Sequence, residues 1–262
     1  MADADPLRLE IDDRGVAVLT LDRPAVRNAF DAGLVEALAR SFDDLAGDPS
    51  ARVVVLTGAG TAFSAGADLE WMRSMREATA EENRADAARL QAMLRALDEL
   101  PMPTIGRIGG PAIGGGVGLV AACDVVVAAS SATFAFSEVR LGLAPAVIAP
   151  FVVRKIGHSA ARALFVTGRR FDAVEAQRVG LVHEFADEGD LDRAVDAVVG
   201  DCLAGAPAAA AACKALPALA AGPADDVAEQ TAALIAELRV SEEGQEGMTA
   251  FLERRPPRWA QA

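Results

Sequence analysis

Apolar and polar positions alternate in short blocks at the start of the chain. Leu7, Leu9 and Ile11, then Val16, Val18, Thr20 and Leu21, predict two strands of a hairpin turned by Asp12-Asp13-Arg14-Gly15, and Arg23-Pro24 ends the second. From Asp31 the spacing changes: Leu34, Leu38, Phe42 and Leu45 recur with helical period, with Gly47 as the stop. A continuous apolar run at 53–57 predicts a buried strand, so the opening order is β-β-α-β. After a loop over 58–67 come a short helix through Leu69, Trp71 and Met72 and a longer one over 81–100, which ends before Pro101 and Pro103. The stretch 103–124 is apolar at both ends and broken by Gly114, Gly115, Gly116 and Gly118. It reads as strand, close turn, short helix and a further strand at 123–129. Another strand is expected at 132–136, helices at 149–156, 159–166 and 172–179, and a strand at 181–185. Beyond Asp187 the pattern is helical, including an alanine-rich run at 204–221 interrupted near Pro217 and a last helix from the N-cap Ser241 to about Arg254. The expected organisation is an α/β core over 1–200 and a helical C-terminal region over 201–262.

Composition narrows the class. A 52% hydrophobic content excludes a disordered chain. With 38 acidic against 25 basic residues, a net charge of -13 and no basic run, nucleic acid is not an expected partner. The acidic start MADADPLRLE has no apolar leader core, and no transmembrane helix is expected, so no membrane partner is either. Cys123, Cys202 and Cys213 lack the spacing of a disulfide framework or a zinc site, which implies no metal and a reducing, cytoplasmic setting.

Three kinds of chemistry fit the glycine-bearing segments. Gly116-Val-Gly118-Leu-Val-Ala121 matches a dinucleotide fingerprint with Glu138 about twenty residues on, but an extra strand intervenes before that acid. Ala62-Phe-Ser64-Ala-Gly66 resembles a nucleophile elbow, whose base would have to be His158, at a helix start, or His183, in an apolar strand. The third reading takes both loops together. Each follows a buried strand and precedes a short helix, so each can offer an unpaired backbone N–H, and two such donors form an oxyanion hole worth roughly 3 kcal/mol per donor. The substrate is then a carbonyl compound such as a thioester. Glu138, at the end of the apolar run Thr133-Phe-Ala-Phe136, is the candidate proton carrier, its pKa raised by desolvation. The competing role for Glu138 is an ion pair with Arg140 or Arg154.

Taken in order, Arg23-Pro-Ala-Val-Arg-Asn28-Ala, Phe63-Ser-Ala-Gly-Ala-Asp68-Leu, Gly109-Gly-Pro-Ala-Ile-Gly-Gly-Gly116, Ala122-Cys-Asp124, Ser137-Glu138-Val-Arg-Leu-Gly-Leu, Thr167-Gly-Arg-Arg-Phe-Asp-Ala173 with Gly180-Leu-Val182, and Phe251-Leu-Glu-Arg-Arg-Pro256 resemble the crotonase, or enoyl-CoA hydratase/isomerase, superfamily over nearly the whole chain. The resemblance implies an α/β spiral of ββα units with a C-terminal helical region that assembles homotrimers or dimers of trimers. It implies an acyl-CoA substrate and no separate cofactor. It assigns the oxyanion hole to the N–H groups of Ala65 and Gly115 and proton transfer to Glu138. Ala25, Val26, Arg27, Ser64 and Leu69 are assigned to CoA or substrate, Asp68 to shaping its loop, and Phe251 and Arg255 to covering the nucleotide, in one account that of a neighbouring subunit. Hydratases of the family usually carry a second glutamate where this chain has Gly118. Hydration is the leading expectation, single-glutamate isomerisation the alternative, and a non-catalytic CoA-ester binder the reading from another class. Gly114 to Asp124 with Glu138 to Val153 also resembles hydratases of branched, carboxylated substrates such as methylglutaconyl-CoA, for which Arg73, Arg140 or Arg154 would meet the substrate carboxylate. Trp71, Met75 and the helix over 81–100 are the expected walls of the acyl pocket.

Overall fold

A computed structural model of the chain describes residues 5–260; the first four residues, part of the acidic start, and the last two lie outside the described residues. The expected hairpin forms, with β1 (Leu7–Ile11) antiparallel to β2 (Val16–Leu21). A 3-10 turn, Pro24–Val26, leads to α1 (Ala32–Gly47), whose N-cap Asp31 accepts the Leu34 N–H at 2.7 Å. Such a cap contributes ~1 kcal/mol. Leu34, Leu38, Phe42 and Leu45 are buried on one face of α1 and return the chain to β3 (Val53–Gly58), parallel to β2.

Next come α2 (Leu69–Glu77), α3 (Ala80–Asp98), β4 (Thr104–Ile108), β5 (Ala112–Ile113), α4 (Gly115–Ala122), β6 (Val125–Ala129) and β7 (Thr133–Ala135). A 3-10 turn, Ser137–Leu141, precedes α5 (Ala149–Thr167), β8 (Arg170–Asp172), α6 (Ala173–Arg178) and β9 (Glu184–Ala186). Gly157, at φ 74° and ψ 162°, divides α5 into the two expected helices. The main sheet runs β1-β2-β3-β4-β6-β9, parallel from β2 onward, and a small sheet runs β5-β7-β8. One face of the main sheet packs on α1, α3, α4 and α5 through Leu56, Ile108, Val126 and their neighbours. On the other face Val53, Val55, Ile105 and Val127 meet Leu191, Val195 and Val199 of α7 (Leu191–Leu203).

The strand expected at 181–185 starts three residues late. The N–H groups of Leu181 and Val182 both reach the Ala176 carbonyl, at 2.9 and 3.2 Å, closing the end of α6, so the ladder with β6 begins only after them. The residue-200 boundary falls inside α7, which is part of the sheet packing. The last helices are α8 (Pro207–Ala220), α9 (Ala224–Val240) and α10 (Glu242–Glu253). Pro217 does not interrupt α8: it sits exposed in the last turn, where the Cys213 carbonyl that loses its N–H partner is near the helix end. Asp124 joins this region to the core by accepting the Thr104 N–H at 2.8 Å and pairing with Lys214 at 2.9 Å. Among the described residues no single helix is long and apolar enough to cross a membrane, and no cluster of metal-ligating side chains occurs.

Candidate active site

Because β3 and β4 are parallel neighbours, the loops leaving their C-terminal ends meet at one edge of the sheet. They are clasped by backbone bonds: Ser64 N–H to the Pro111 carbonyl at 3.1 Å and Ile113 N–H to the Ser64 carbonyl at 2.9 Å. A third segment joins when Gly114 N–H donates to the carbonyl of Ala135, at the end of β7, at 2.9 Å. That bond brings the 3-10 turn bearing Glu138 against the head of α4. Gly114 itself has φ 52° and ψ -119°, and a Cβ there would lie 3.2 Å from Glu138 Oε1. Only glycine permits both the left-handed backbone and that approach.

At the head of α4 the N–H groups of Gly115 and Gly116 have no acceptor among the described residues, while those of Val117 and Gly118 turn back to the Gly114 carbonyl at 2.9 and 3.3 Å. Two successive free donors at a helix start suit an oxyanion. Ala65 differs from the expectation. Its N–H is taken by the Arg27 carbonyl at 2.9 Å, so in this state it is not a free donor.

Glu138 is neither ion-paired nor exposed. Arg154 is committed to Asp98, and Arg140 has no acidic partner among the described residues. Glu138 Oε2 is buried without a hydrogen-bond partner. Burial pushes the carboxyl pKa up, and a bond from its own backbone offsets this only in part. A carboxyl with one oxygen buried and unpartnered is suited to accept a proton and give it back.

The position of the usual second glutamate is closed. A Cβ on Gly118 would lie 2.5 Å from Ile148 Cγ2 and 3.4 Å from Leu94 Cδ1. The alternative chemistries also lose their parts. Gly116 and Gly118 are buried inside α4 against Ser64 and Ile148, not open to a pyrophosphate. Ser64 is fully buried and donates its hydroxyl to the Asn28 carbonyl at 2.8 Å. His183 Nδ1 accepts the Val126 N–H at 2.9 Å, and burial lowers its pKa, which makes it a neutral structural histidine.

The segment before α1 contains side chains for which sequence patterns predict no role. Asn28, fully buried at φ 54°, accepts the Arg23 N–H and donates to the carbonyls of Ala59 and Ala62, each at 2.9 Å. Arg23 pairs with Asp31 at 2.7 Å and Asp68 at 3.5 Å. Asp68 also caps α2 through the Glu70 N–H at 2.8 Å. Ala25, Val26 and Arg27 stand exposed on this braced turn, and Leu69 is exposed at the start of α2. Only the pairing of a buried Asn with a following loop of carbonyls signals this brace, and the sequence alone does not show which carbonyls.

The tail lies elsewhere. Arg52, just before β3, donates to the carbonyls of Trp259 and Leu203 at 2.9 Å, so the tail packs at the opposite end of β3 from the glycine loops. Arg255 is not free for a phosphate: its guanidinium holds Glu246 at 2.7 and 2.9 Å and Glu253 at 2.8 Å. Phe251 is 83% exposed and touches no part of this site in its own chain. A cleft of about 500 Å³ lined by Arg14, Thr57, Arg107 and Asp192 opens on the α7 face of the sheet and contains none of the groups above.

The model of the enoyl-CoA hydratase/isomerase family matches residues 12–262. A Thermus thermophilus relative is 36% identical over 252 residues, 96% of this chain and 100% of that one. The enoyl-CoA hydratase ACTT6 of Alternaria alternata is 37% identical over 207 residues, 79% of this chain and 67% of its own. Among solved structures, an enoyl-CoA hydratase from Shewanella pealeana superposes with a TM-score of 0.93 at 38% identity, covering 97% of this chain and 96% of that one. Pseudomonas aeruginosa AtuE gives 0.94 at 38% identity over 98% and 100%.

Proposed function

Because the chain belongs to the enoyl-CoA hydratase/isomerase family and has its crotonase-like α/β fold, we propose that it is an enzyme that adds water across the double bond of a 2-enoyl-CoA, with Glu138 as its sole proton carrier. One observation carries this reading: the carboxyl of Glu138, its Oε2 buried and unpartnered, lies against Gly114, the cap of the helix α4 whose first N–H groups are free. The thioester oxygen is held by Gly115 N–H, with Gly116 N–H beside it, and Ala65 N–H joins when it leaves the Arg27 carbonyl. As water oxygen bonds to C3, its proton passes to ionised Glu138 and the double-bond electrons move onto the thioester oxygen as an enolate. Glu138 then returns the proton to C2. Fixed amides stabilise that charge without reorganising, each contributing roughly 3 kcal/mol.

In this reading Ala25, Val26, Arg27 and Leu69 lie along the CoA, which arrives as part of the substrate, and Ser64 and Asp68 hold the loops in place. Phe251 reaches nucleotide only from a neighbouring copy of a homotrimer or of a dimer of trimers, while Arg255, held by Glu246 and Glu253, steadies the tail behind it. The exposed Phe251 and Leu252, at 83% and 80%, support burial of that face between copies. Free cysteines support a cytoplasmic setting. For a branched, carboxylated acyl group such as methylglutaconyl, Arg140 is, of Arg73, Arg140 and Arg154, the one without an acidic partner among the described residues. Isomerisation of a 3-enoyl-CoA by the same carboxyl is the second reading, favoured by the filled space at Gly118.

The test offers a 2-enoyl-CoA and a 3-enoyl-CoA separately and follows the absorbance of the conjugated thioester. Loss of absorbance from the first supports hydration. Reaction of the second alone, with absorbance rising, refutes it in favour of isomerisation.

A further inference from the structure

The 3-10 turn Ser137–Leu141 that bears Glu138 fully buries none of its own residues, and Val139 and Leu141 stand half exposed. Its closing bonds are local: Gly142 N–H donates to the Val139 carbonyl at 3.2 Å and Leu143 N–H to the Glu138 carbonyl at 3.0 Å. So short a 3-10 piece has little stability of its own, and the place of the Glu138 carboxyl is set by what the turn rests on. On one side is the cap of α4, where Gly114 N–H holds the Ala135 carbonyl. On the other is the end of α5. There Phe165 meets the fully buried ring of Phe136 edge-on, with centroids 4.9 Å apart. Three residues further, Gly168 caps α5 with φ 54° and ψ 20°, its N–H on the Leu164 carbonyl at 3.0 Å. A Cβ on Gly168 would lie 2.6 Å from Val139 Cγ1, 3.3 Å from the Phe136 carbonyl oxygen and 3.5 Å from Arg140 Cγ. Those atoms bracket Glu138 in the chain. Val139 is β-branched and stiff, so the turn itself would have to give. The left-handed angle alone admits asparagine as well as glycine. Contact with the turn is what excludes a side chain.

We propose that Gly168 is a positioning residue for Glu138: by presenting no side chain, it lets the turn seat directly on the end of α5 and so fixes the carboxyl against the cap of α4. The inference rests on Glu138 being the proton carrier, as proposed above. Gly168 touches no reacting atom; it acts through Val139 and the Phe136 carbonyl. A side chain at 168 displaces the turn, and the carboxyl moves with it, while the exposed segment at 25–27 and the amides of α4 stay where they are.

The test uses the full chain with Gly168→Asn, Gly168→Ala, Val139→Ala and Gly168→Asn/Val139→Ala, each checked for folding by circular dichroism. A saturated acyl-CoA is incubated in D2O and the exchange of its C2 protons is followed by mass spectrometry. Ionised Glu138 takes a proton from C2, the electrons pass to the thioester oxygen, and a deuteron returns to C2. Turnover of a 2-enoyl-CoA and of a 3-enoyl-CoA is measured beside it. In Gly168→Asn, exchange and kcat are both expected to fall at least about tenfold, a misplacement of ~1 Å being worth up to about a hundredfold, with KM changed less than about twofold. Gly168→Ala adds backbone strain, so it should melt roughly 2 to 5 °C below Gly168→Asn and lose the same activity. In the Val139→Ala background the loss caused by Gly168→Asn should shrink to less than about threefold, because the two sites are in contact. Exchange within about twofold of wild type in folded Gly168→Asn, or an equal loss in both backgrounds, overturns the positioning role. If Gly168→Asn folds only together with Val139→Ala, exchange near that of Val139→Ala supports the role and a deficit of about tenfold overturns it. A wild type that exchanges C2 protons but neither hydrates nor isomerises refutes the reaction reading alone, and the exchange rates still decide on Gly168; one that does none of these overturns both.

Discussion

Asn28 offers the sharpest test of how the site is braced. Its side chain makes three hydrogen bonds in a fully buried position, one from Arg23 N–H and two to the carbonyls of Ala59 and Ala62, all at 2.9 Å. Asn28→Ala removes them together. At ~1 kcal/mol net for each bond, with ~1 kcal/mol more for alanine at a left-handed φ that asparagine tolerates better, the loss is about 4 kcal/mol. Urea unfolding monitored by circular dichroism measures it directly. Asn28→Gly keeps the backbone unstrained and should be less damaging than alanine by ~1 kcal/mol. Asn28→Asp keeps the acceptor for Arg23 but turns a carboxylate oxygen toward two carbonyls, so at neutral pH it should be worse than alanine and recover as the carboxyl protonates in acid. Since the same residue fixes the turn that carries Ala25 to Arg27, the alanine variant should also raise KM for an acyl-CoA more than it lowers kcat. A loss below ~1 kcal/mol, or equal stability of the alanine and aspartate variants at neutral pH, would refute the brace.

Other outcomes follow from the same bonds. Glu138→Gln should lower kcat by a factor on the order of 10² to 10⁴ while leaving CoA-ester affinity intact; near-wild-type turnover removes Glu138 from the chemistry. Because burial raises the Glu138 pKa in the folded state above its ordinary 4.5, the folded protein binds that proton more tightly than the unfolded chain does. Stability therefore falls as pH rises through that window, and Glu138→Gln should be the more stable protein at neutral pH in the same urea experiment. The acidic limb of the wild-type pH–rate profile should sit above the ordinary carboxylate range. Arg255 holds the Glu246 carboxyl down to about 2 from 4.5. That contribution is present above 4.5 and is lost as pH falls toward 2, so Glu246→Gln should flatten the acid-unfolding curve between those values. Ser64→Ala should retain most activity, contrary to a nucleophile, while leaving the buried Asn28 carbonyl unpaired at a cost of ~1 to 3 kcal/mol, read by urea unfolding.

Where periodicity was strong the sequence was enough. The hairpin, α1, β3 and the helical C-terminal third are stated by spacing and capping residues, Asp31 and Ser241 among them. The strand near 181 was misplaced because Leu181 and Val182 are as apolar as any strand residue, yet their N–H groups close a helix. Burial is legible in composition; the acceptor chosen by an amide is not. The same limit applies to Ala65, whose loop is recognisable but whose N–H is engaged by the carbonyl of Arg27, thirty-eight positions earlier in the chain and beyond the reach of any local pattern. It applies to Arg255 too, which reads as a free cation and is a clamp on Glu246.

The glycines of α4 show why a run of one residue type hides several requirements. Gly114 needs its backbone angle and the approach of Glu138; a Cβ on Gly115 would meet the Phe30 ring at 3.4 Å, and one on Gly116 would meet Ser64 Cβ at 2.8 Å. Gly118 meets Ile148 at 2.5 Å. Each glycine answers to a different element, α4 being enclosed by the loop after β3, the start of α1 and the start of α5. Alanine at Gly115 should then be the mildest of the four changes, since contact with a ring at 3.4 Å needs only a few tenths of an ångström of adjustment, while alanine at Gly116 must push the head of α4, which presents the free amides, away from the Ser64 loop. Comparing kcat for the two variants separates the effects. If Gly115→Ala is as damaging to turnover as Gly116→Ala while its melting temperature is unchanged, then the amide of Gly115 is the more sensitive to helix position, and packing against Ser64 is not what sets the geometry of the hole.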